Sequence, residues 1–322
     1  MKKGFLFNYL IALVIILTLN FILPRLMPGD PLQAIYGCEA MIVMTPELKA
    51  ELTRRFSLDM SLDRQFQSYI ASLLRGDFGH SYFYNVPVSK VILGCFPWTI
   101  LLVGLALFIS TGLGVLAGVE SGYRRGLPPD RFLLGLFMGL SGLPDFFIGI
   151  LLLLVFGVSL GLVPLAGAVT PYSGQGTAAI VLDVLHHLAL PLAALVLSRI
   201  TAIYLLTRNT MITTLGENFI ITARAKGCAN HVIRYRHAGR NSLLPVVTAA
   251  GLQLSHLITG ALFVEIVFSY PGLGTLLYNS LLTRDYPLLQ GILLLATLTV
   301  LTVNFLVDII YSKIDPRICY AH

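Results

Sequence analysis

Long apolar runs separated by short polar punctuation dominate the chain, and six of them are long enough to cross a bilayer as helices. A ~30 Å hydrocarbon core needs about 20 residues of helix. The runs are approximately Phe5–Met27, Phe96–Val119, Phe132–Gly157, Leu188–Thr207, Val246–Phe268 and Tyr286–Tyr311. Lys2 and Lys3 precede the first run as they would in a secretory signal, but the run is too long and no small-x-small cleavage site follows. It reads as an uncleaved first helix.

Two polar stretches break this pattern. The first, Pro28–Cys95, begins with the turn cluster Pro28-Gly29-Asp30-Pro31. A helical hairpin is predicted after it: Thr45 caps a helix that has Pro46 at its first position and Glu47 in its first turn, with Glu51 spaced to meet Arg54 and Arg55. Ser61 caps the next, in which Leu62, Phe66, Tyr69, Ile70, Leu73 and Leu74 recur at helical spacing, and Arg75-Gly76-Asp77-Phe78-Gly79 ends it. Packing over the helix ends and docking of an outside partner are both open readings of this stretch.

The second stretch runs from about Asn209 to Leu244. Glu217 stands at a helix start, Ala223 and Ala225 are small enough for close approach, and Gly227 suits the left-handed position after a helix end. A second helix begins over His231 to His237. A loop that only supplies positive charge and one that docks a partner are equally consistent with this spacing.

Composition changes the picture in one respect. Of 322 residues 56% are hydrophobic and 12% charged, which excludes both a disordered chain and a large soluble catalytic domain. The net charge of +6 reflects loop topology rather than nucleic-acid binding. Lys2, Lys3, Arg124, Arg125, Arg131, Arg208, Arg224, Lys226, Arg234, Arg236, Arg240, Lys313 and Arg317 all fall on one set of connections. Opposite them, Val158 to His187 holds no Lys or Arg, and Ser269 to Tyr286 holds only Arg284. Both termini are therefore expected in the cytoplasm, with an even number of spans. The predicted fold is an all-α membrane protein of six transmembrane helices: 1–27 is the N-terminus and first span, 28–95 the extracytoplasmic segment, 96–311 the five-helix core carrying loop 209–244, and 312–322 the tail.

Ionisable residues at membrane depth are functional candidates because each is costly in hydrocarbon. Asp145 follows Pro144, where it satisfies backbone freed by a kink or lines a path. Arg199 snorkels to the inner surface or meets a substrate carboxylate. His256 sits mid-span as a helix contact or a path residue, Glu265 is a gate, an outside contact or a structural partner, and Asp308 is structural. No metal site is expected: His186-His187 is a weak donor pair better read as interfacial. Of the cysteines, only Cys38 and Cys95 share the outer compartment, while Cys228 and Cys319 are inside.

Glu217-Asn218-Phe219-Ile220-Ile221-Thr222-Ala223-Arg224-Ala225-Lys226-Gly227, followed by His237, Arg240-Asn241 and Leu244-Pro245, resembles the cytoplasmic "EAA" loop of the permease subunits of ABC importers for dipeptides, oligopeptides and nickel. The likeness extends in order through Pro28-Gly29-Asp30-Pro31, Gly76-Asp77-Phe78-Gly79, Glu265 with Phe268 to Gly274, Arg284-Asp285-Tyr286-Pro287 and Asp315-Pro316-Arg317. Ser57 and Leu205 depart from it, standing where Gly and Arg are usual. The resemblance implies a subunit that does no covalent chemistry, with no catalytic residue and no cofactor of its own. ATP and Mg would be bound by two separate ABC ATPase subunits, and a second homologous permease and an extracytoplasmic substrate-binding protein would complete the complex in a prokaryotic plasma (inner) membrane. In agreement, no G-x-x-x-x-G-K-[ST] occurs, and Gly112-Leu-Gly114 with Gly118 reads as small-xxx-small packing.

By the same resemblance, a helix over Gly216–Ala225 would enter a groove of the ATPase. Glu217 and Arg224 would make polar contacts, Ala223 and Ala225 close packing and Lys226 a charge contact; Gly227 would make the turn, and Arg240, Asn241 and Pro245 the return. Peptide is the expected solute class and nickel or a nickel chelate the alternative. A secondary transporter would need an internal repeat and coupling-ion carboxylates, and a channel a filter or charged ring. An enzyme would need more than Ser255 beside His256, which point about 100° apart on a helix.

Overall fold

The computed structural model describes residues 3–26, 32, 36, 44–55, 59–171, 176–255 and 261–314. Pro28-Gly29-Asp30-Pro31, Cys38, Ser57, His256, Asp315-Pro316-Arg317 and Cys319 lie outside the described residues, as does the side chain of Asp308. Among the described residues the helices are α1 (Lys3–Arg25), α2 (Pro46–Arg55), α3 (Leu62–Leu74), α4 (Val88–Tyr123), α5 (Pro128–Ser141), α6 (Asp145–Leu152), α7 (Thr177–Leu215), α8 (Asn218–Ala225), α9 (Arg240–Ser255), α10 (Leu262–Val267), α11 (Leu273–Leu282) and α12 (Tyr286–Ile314). Two π-helical segments, Leu153–Ser159 and Val232–Gly239, continue α6 and lead into α9.

The chain divides into two units. One comprises Met1–Pro97 with Gly272–Leu301. In it both helices predicted for this stretch form: the Thr45 hydroxyl accepts the N–H of Leu48 at 3.4 Å to start α2, and Phe66 and Tyr69 of α3 pack on Phe21 of α1 at ring separations of 5.1 and 5.7 Å. Ser61 takes the N-cap position with extended backbone, but its hydroxyl caps no helix N–H. It donates to Asp63 instead, which holds that exposed carboxyl below its ordinary range.

A buried carboxylate organises the Gly79–Pro87 turn in the same unit. Asp285 accepts from the hydroxyl of Ser81, from the N–H of Phe83 at 3.1 Å and from the N–H of Leu288 at 3.2 Å. The side chain thus serves both the turn and the start of α12. The chain reaches Asp285 through Arg284 at φ 52°, and Asn85 closes the turn at φ 54°.

The other unit, Trp98–Pro271 with Thr302–His322, holds the larger apolar core. Leu102, Val103 and Ala106 of α4 meet Ile148 of α6, Leu188, Ala194 and Leu195 of α7, and Val264 with Phe268. Outward residues such as Phe108, Phe132 and Leu182 are bare, a pattern stable only against lipid or protein. Val88–Tyr123, Thr177–Leu215 and Tyr286–Leu306 are long and apolar enough to cross a membrane.

Two predicted spans are corrected. The run Phe132–Gly157 is not one helix: α5 ends at Ser141 and α6 starts at Asp145, with a bend of 101° between α5 and the helix pair Asp145–Ser159. Gly142 takes the C-cap, and Pro144 has no N–H to continue the ladder and sits at ψ 150° as the next N-cap. The run that was predicted to begin at Leu188 belongs to a helix that starts at Thr177. The polar residues that mask this start are all engaged: Asp183 accepts the N–H and hydroxyl of Thr170 at 2.6 and 2.7 Å, and ring nitrogens of His186 and His187 lie 2.8 and 2.9 Å from the carbonyls of Leu162 and Asp183. Of Val246–Phe268, α9 and α10 are seen, and residues 256–260 between them are not described.

Candidate functional site

The polar stretch after α7 folds into a helix, a glycine turn and a π-helical return. Glu217 takes the N-cap position of α8 with extended backbone, φ −74° and ψ 148°, but its carboxylate makes no capping bond and is exposed. Eight residues are too few for a helix to hold itself in water, so α8 depends on packing. Ile220 supplies it, buried in a cluster with Val119, Met211, Ile233 and Ala238, and Ala223 is buried one turn on.

The C-terminal end is a complete Schellman motif. Gly227 at φ 75° donates its N–H to the carbonyl of Arg224 at 2.9 Å, and Cys228 donates to the carbonyl of Ala223 at 3.2 Å. This is the conformation the sequence asked of Gly227.

The small pair expected to share one role divides: Ala223 faces the chain's own interior and Ala225 is exposed. Beside Ala225 the outward surface carries Asn218, Thr222, Arg224 and Lys226, together with Phe219 and Ile221, which are 41% and 60% exposed. Phe219 and Ile221 were not singled out from the sequence. Their signal was present, since two large apolar residues flank Ile220, which the helix buries, and so cannot share its face.

Beneath α8 lies a frame of charged pairs. Arg234 of the π-helical return donates to both carboxylate oxygens of Glu120 at 2.7 and 3.0 Å and lies over the ring of Tyr123 at 4.3 Å. Tyr235 also donates to Glu120, and that bond pushes its hydroxyl pKa up. Arg124 adds a second cation at 3.3 Å. Next to Glu120 on α4, Ser121 donates to Asp130 and shares a hydrogen bond of 2.6 Å with the Tyr204 hydroxyl. Arg208 of α7 grips Asp130 with a two-pronged contact at 2.7 and 2.8 Å, and the N–H of Gly126 completes the carboxylate's shell at 2.8 Å.

Glycines let α4 and α7 approach closely enough for these bonds. A Cβ on Gly114, Gly118 or Gly122 would stand 2.8, 2.6 or 2.8 Å from Ile203, Thr207 or Met211. The small-xxx-small seam thus exists, but it runs Gly114, Gly118, Gly122; at Gly112 a Cβ would meet open space.

The return into α9 is fixed mainly by residues other than those expected. The Ser242 carbonyl accepts from Thr210 at 3.2 Å, while the Ser242 hydroxyl donates to the Gly239 carbonyl at 2.8 Å. The side chain of Asn241 donates to the His237 carbonyl at 2.7 Å, and Arg240 and Pro245 are exposed.

Of the path candidates, Asp145 and Arg199 are related electrostatically. The Asp145 carboxylate is the charge acting on half-buried Arg199, and it also accepts the N–H of Phe146 at 2.8 Å. Glu265 is wholly buried and accepts from the Thr99 hydroxyl at 2.7 Å. Among the described residues no group of three or more His, Cys, Asp and Glu is placed to hold a metal.

Residues 110–320 match the family described as "Binding-protein-dependent transport system inner membrane component". The match takes in the frame, α8 and its return. The chain is 36% identical over 318 residues to a di/tripeptide transport system permease protein of Pseudomonas aeruginosa, covering 93% of each chain. It is 34% identical over 317 residues to a dipeptide transport system permease protein of Escherichia coli, again covering 93% of each. To a glutathione transport system permease protein of Salmonella typhimurium it is 35% identical over 311 residues, covering 96% of this chain and 95% of the relative. The chain therefore belongs to the binding-protein-dependent inner-membrane component family, the permease subunits of ABC transport systems. It is a multi-pass protein of the plasma membrane.

Proposed function

We propose that this chain is one half of the translocation path of an ATP-driven importer for di- and oligopeptides, and that α8 couples the path to a separate ATPase. The observation that carries the coupling role is the contrast between the two faces of α8: Ile220 and Ala223 bind it to the chain's own frame, while Phe219, Ile221, Arg224 and Lys226 stand exposed on a short, rigid helix. An apolar pair ringed by polar groups is the composition of a docking core with a rim. Movement of a docked ATPase would pass through α8 to the Glu120–Arg234 and Asp130–Arg208 pairs, and so to α4 and α7. These are long helices, 36 and 39 residues, which at 1.5 Å per residue reach about 54 and 58 Å, well beyond a ~30 Å core.

In this reading Glu217, Arg224 and Lys226 make polar contacts at the rim, Ala225 close packing and Gly227 the turn, with Asn241 holding the return. Six spans place both termini in the cytoplasm. A second homologous permease, two ATPase subunits that bind ATP and Mg, and an extracytoplasmic binding protein complete the complex. Arg199 with Asp145 is the charged pair offered to the path. Peptide is favoured over nickel because the relatives are named for dipeptides, tripeptides and glutathione.

The test is ATP hydrolysis by the complex reconstituted in lipid with its binding protein, scored against a dipeptide panel and against nickel with and without a chelator. Stimulation by peptides is expected. Stimulation by nickel alone would overturn the solute, and hydrolysis indifferent to every solute and to the binding protein would overturn the importer.

A further inference from the structure

The unit formed by Met1–Pro97 and Gly272–Leu301 contains a cavity of about 500 Å³ that the coupling mechanism does not use. Its walls come from the end of α1, from α3, from the turn after α3 and from the first turns of α12. Arg25 is the cation in its lining. The guanidinium lies 3.6 Å from the Phe21 ring centroid, with Nε donating to Gln65 at 2.9 Å and one terminal nitrogen donating to the Phe21 carbonyl at 2.8 Å. Those bonds fix the fork and leave donors over, since a guanidinium carries five.

The groups acting electrostatically on Arg25 are the hydroxyls of Tyr82, Tyr286 and Tyr69, and among the described residues no carboxylate acts on it. Asp77 also lines the cavity, but it is exposed and its carboxylate accepts the N–H of Gly79 at 2.8 Å. Asp285, behind Tyr82, is committed to Ser81, Phe83 and Leu288.

Two more lining groups lack partners. Gln290 is only 8% exposed, and its side-chain nitrogen has no acceptor among the described residues; the same holds for the buried hydroxyl of Tyr69. Burial pushes the Tyr69 hydroxyl up to about 12, so it keeps its proton at any physiological pH. Each unmet buried donor costs about 1–3 kcal/mol, so a cationic wall with two of them is completed by a ligand with several lone pairs and a negative charge.

We propose that this cavity is a binding site for a carboxylate or phosphate group, which Arg25, Gln290 and Tyr69 hold by hydrogen bonds. The free carboxyl end of a peptide and the phosphate of an anionic lipid headgroup share that chemistry. The peptide source rests on the function proposed above; the lipid source does not.

The experiment uses the full transport complex reconstituted in sealed phosphatidylcholine liposomes, with and without phosphatidylglycerol. Arg25→Gln removes the cation, Gln290→Glu adds a repelling carboxylate, and Tyr69→Phe removes one hydroxyl should either charge change prevent assembly. Two quantities are read: the KM for uptake of dialanine against its C-terminal amide, and the phosphatidylglycerol molecules retained per complex by native mass spectrometry. A peptide site predicts that KM for dialanine rises about tenfold in the charge variants while that for the amide stays, as expected for loss of a charge-assisted bond. A lipid site predicts that one retained phosphatidylglycerol is lost with KM unmoved. Unchanged KM and unchanged lipid retention in the variants that assemble would overturn the proposal. Wild-type complex that takes up no dialanine would defeat the earlier function, and lipid retention alone would then decide this one.

Discussion

The frame under α8 and the wall of the Arg25 cavity are both built from arginine, yet they are wired differently. In the frame each cation has an anion: Arg208 holds Asp130 through two bonds, and Arg234 holds Glu120 through two more. At the cavity Arg25 is held by an amide, a carbonyl and an aromatic face. Closed pairs resist distortion and so suit a part that transmits motion. A cation with donors to spare suits a part that receives something.

The largest effect expected from breaking this comparison comes at Asp130, which is 2% exposed on its side chain against 13% for Arg208. Asp130→Asn should leave Arg208 without its anion and lower the stability of the complex by about 3 kcal/mol or more, read as thermal melting in detergent. Adding Arg208→Gln should recover part of that loss, because the unpaired cation is then removed as well. Arg25→Gln, which breaks no ion pair among the described residues, should shift melting far less.

Next in size is the glycine seam. Gly118→Ala places a Cβ 2.6 Å from Thr207 and 2.9 Å from the Tyr204 carbonyl, with backbone that cannot yield, and should cost about 1–3 kcal/mol by the same assay. Gly112→Ala, where nothing lies within 4 Å, should be neutral or slightly stabilising. Equal melting of the two variants would mean that α4 and α7 do not meet along this seam.

Gly227→Ala should cost about 1 kcal/mol from its left-handed backbone alone, since a Cβ there meets open space. Its effect on coupling should exceed its effect on melting, because it loosens the end of α8. The ratio of peptide taken up to ATP hydrolysed checks this. The smallest stability change is expected for Ile221→Ser, exposed and outside every cluster, where melting should move by less than about 0.5 kcal/mol while the same ratio falls.

These elements were not equally legible in the sequence. The helices α2 and α3, the glycine turn at Gly227 and the small-residue seam are written in local spacing, and each appeared where spacing put it, apart from the seam's shift from Gly112 to Gly122. The bend between α5 and α6 was half legible. Pro144 marked a kink, but Gly142 two residues earlier turned a kink into a stop. The start of α7 was hidden because Asp183, His186 and His187 look like loop residues until their partners at Thr170 and Leu162 are known. Asp130 with Arg208, and Glu120 with Arg234, were invisible, being 78 and 114 residues apart with no periodicity to connect them. The same distance problem hid the bond from Thr99 to Glu265.

The central claim is that the exposed apolar pair Phe219 and Ile221 forms the core of the dock by which α8 couples this chain to its ATPase. Peptide uptake by the reconstituted complex carrying Phe219→Ser and Ile221→Ser together tests it most directly, with melting measured on the same sample. The account predicts uptake reduced by about thirtyfold, the loss of a docking hot spot, with melting unchanged. Uptake at the wild-type rate in a complex that contains both substitutions would contradict it.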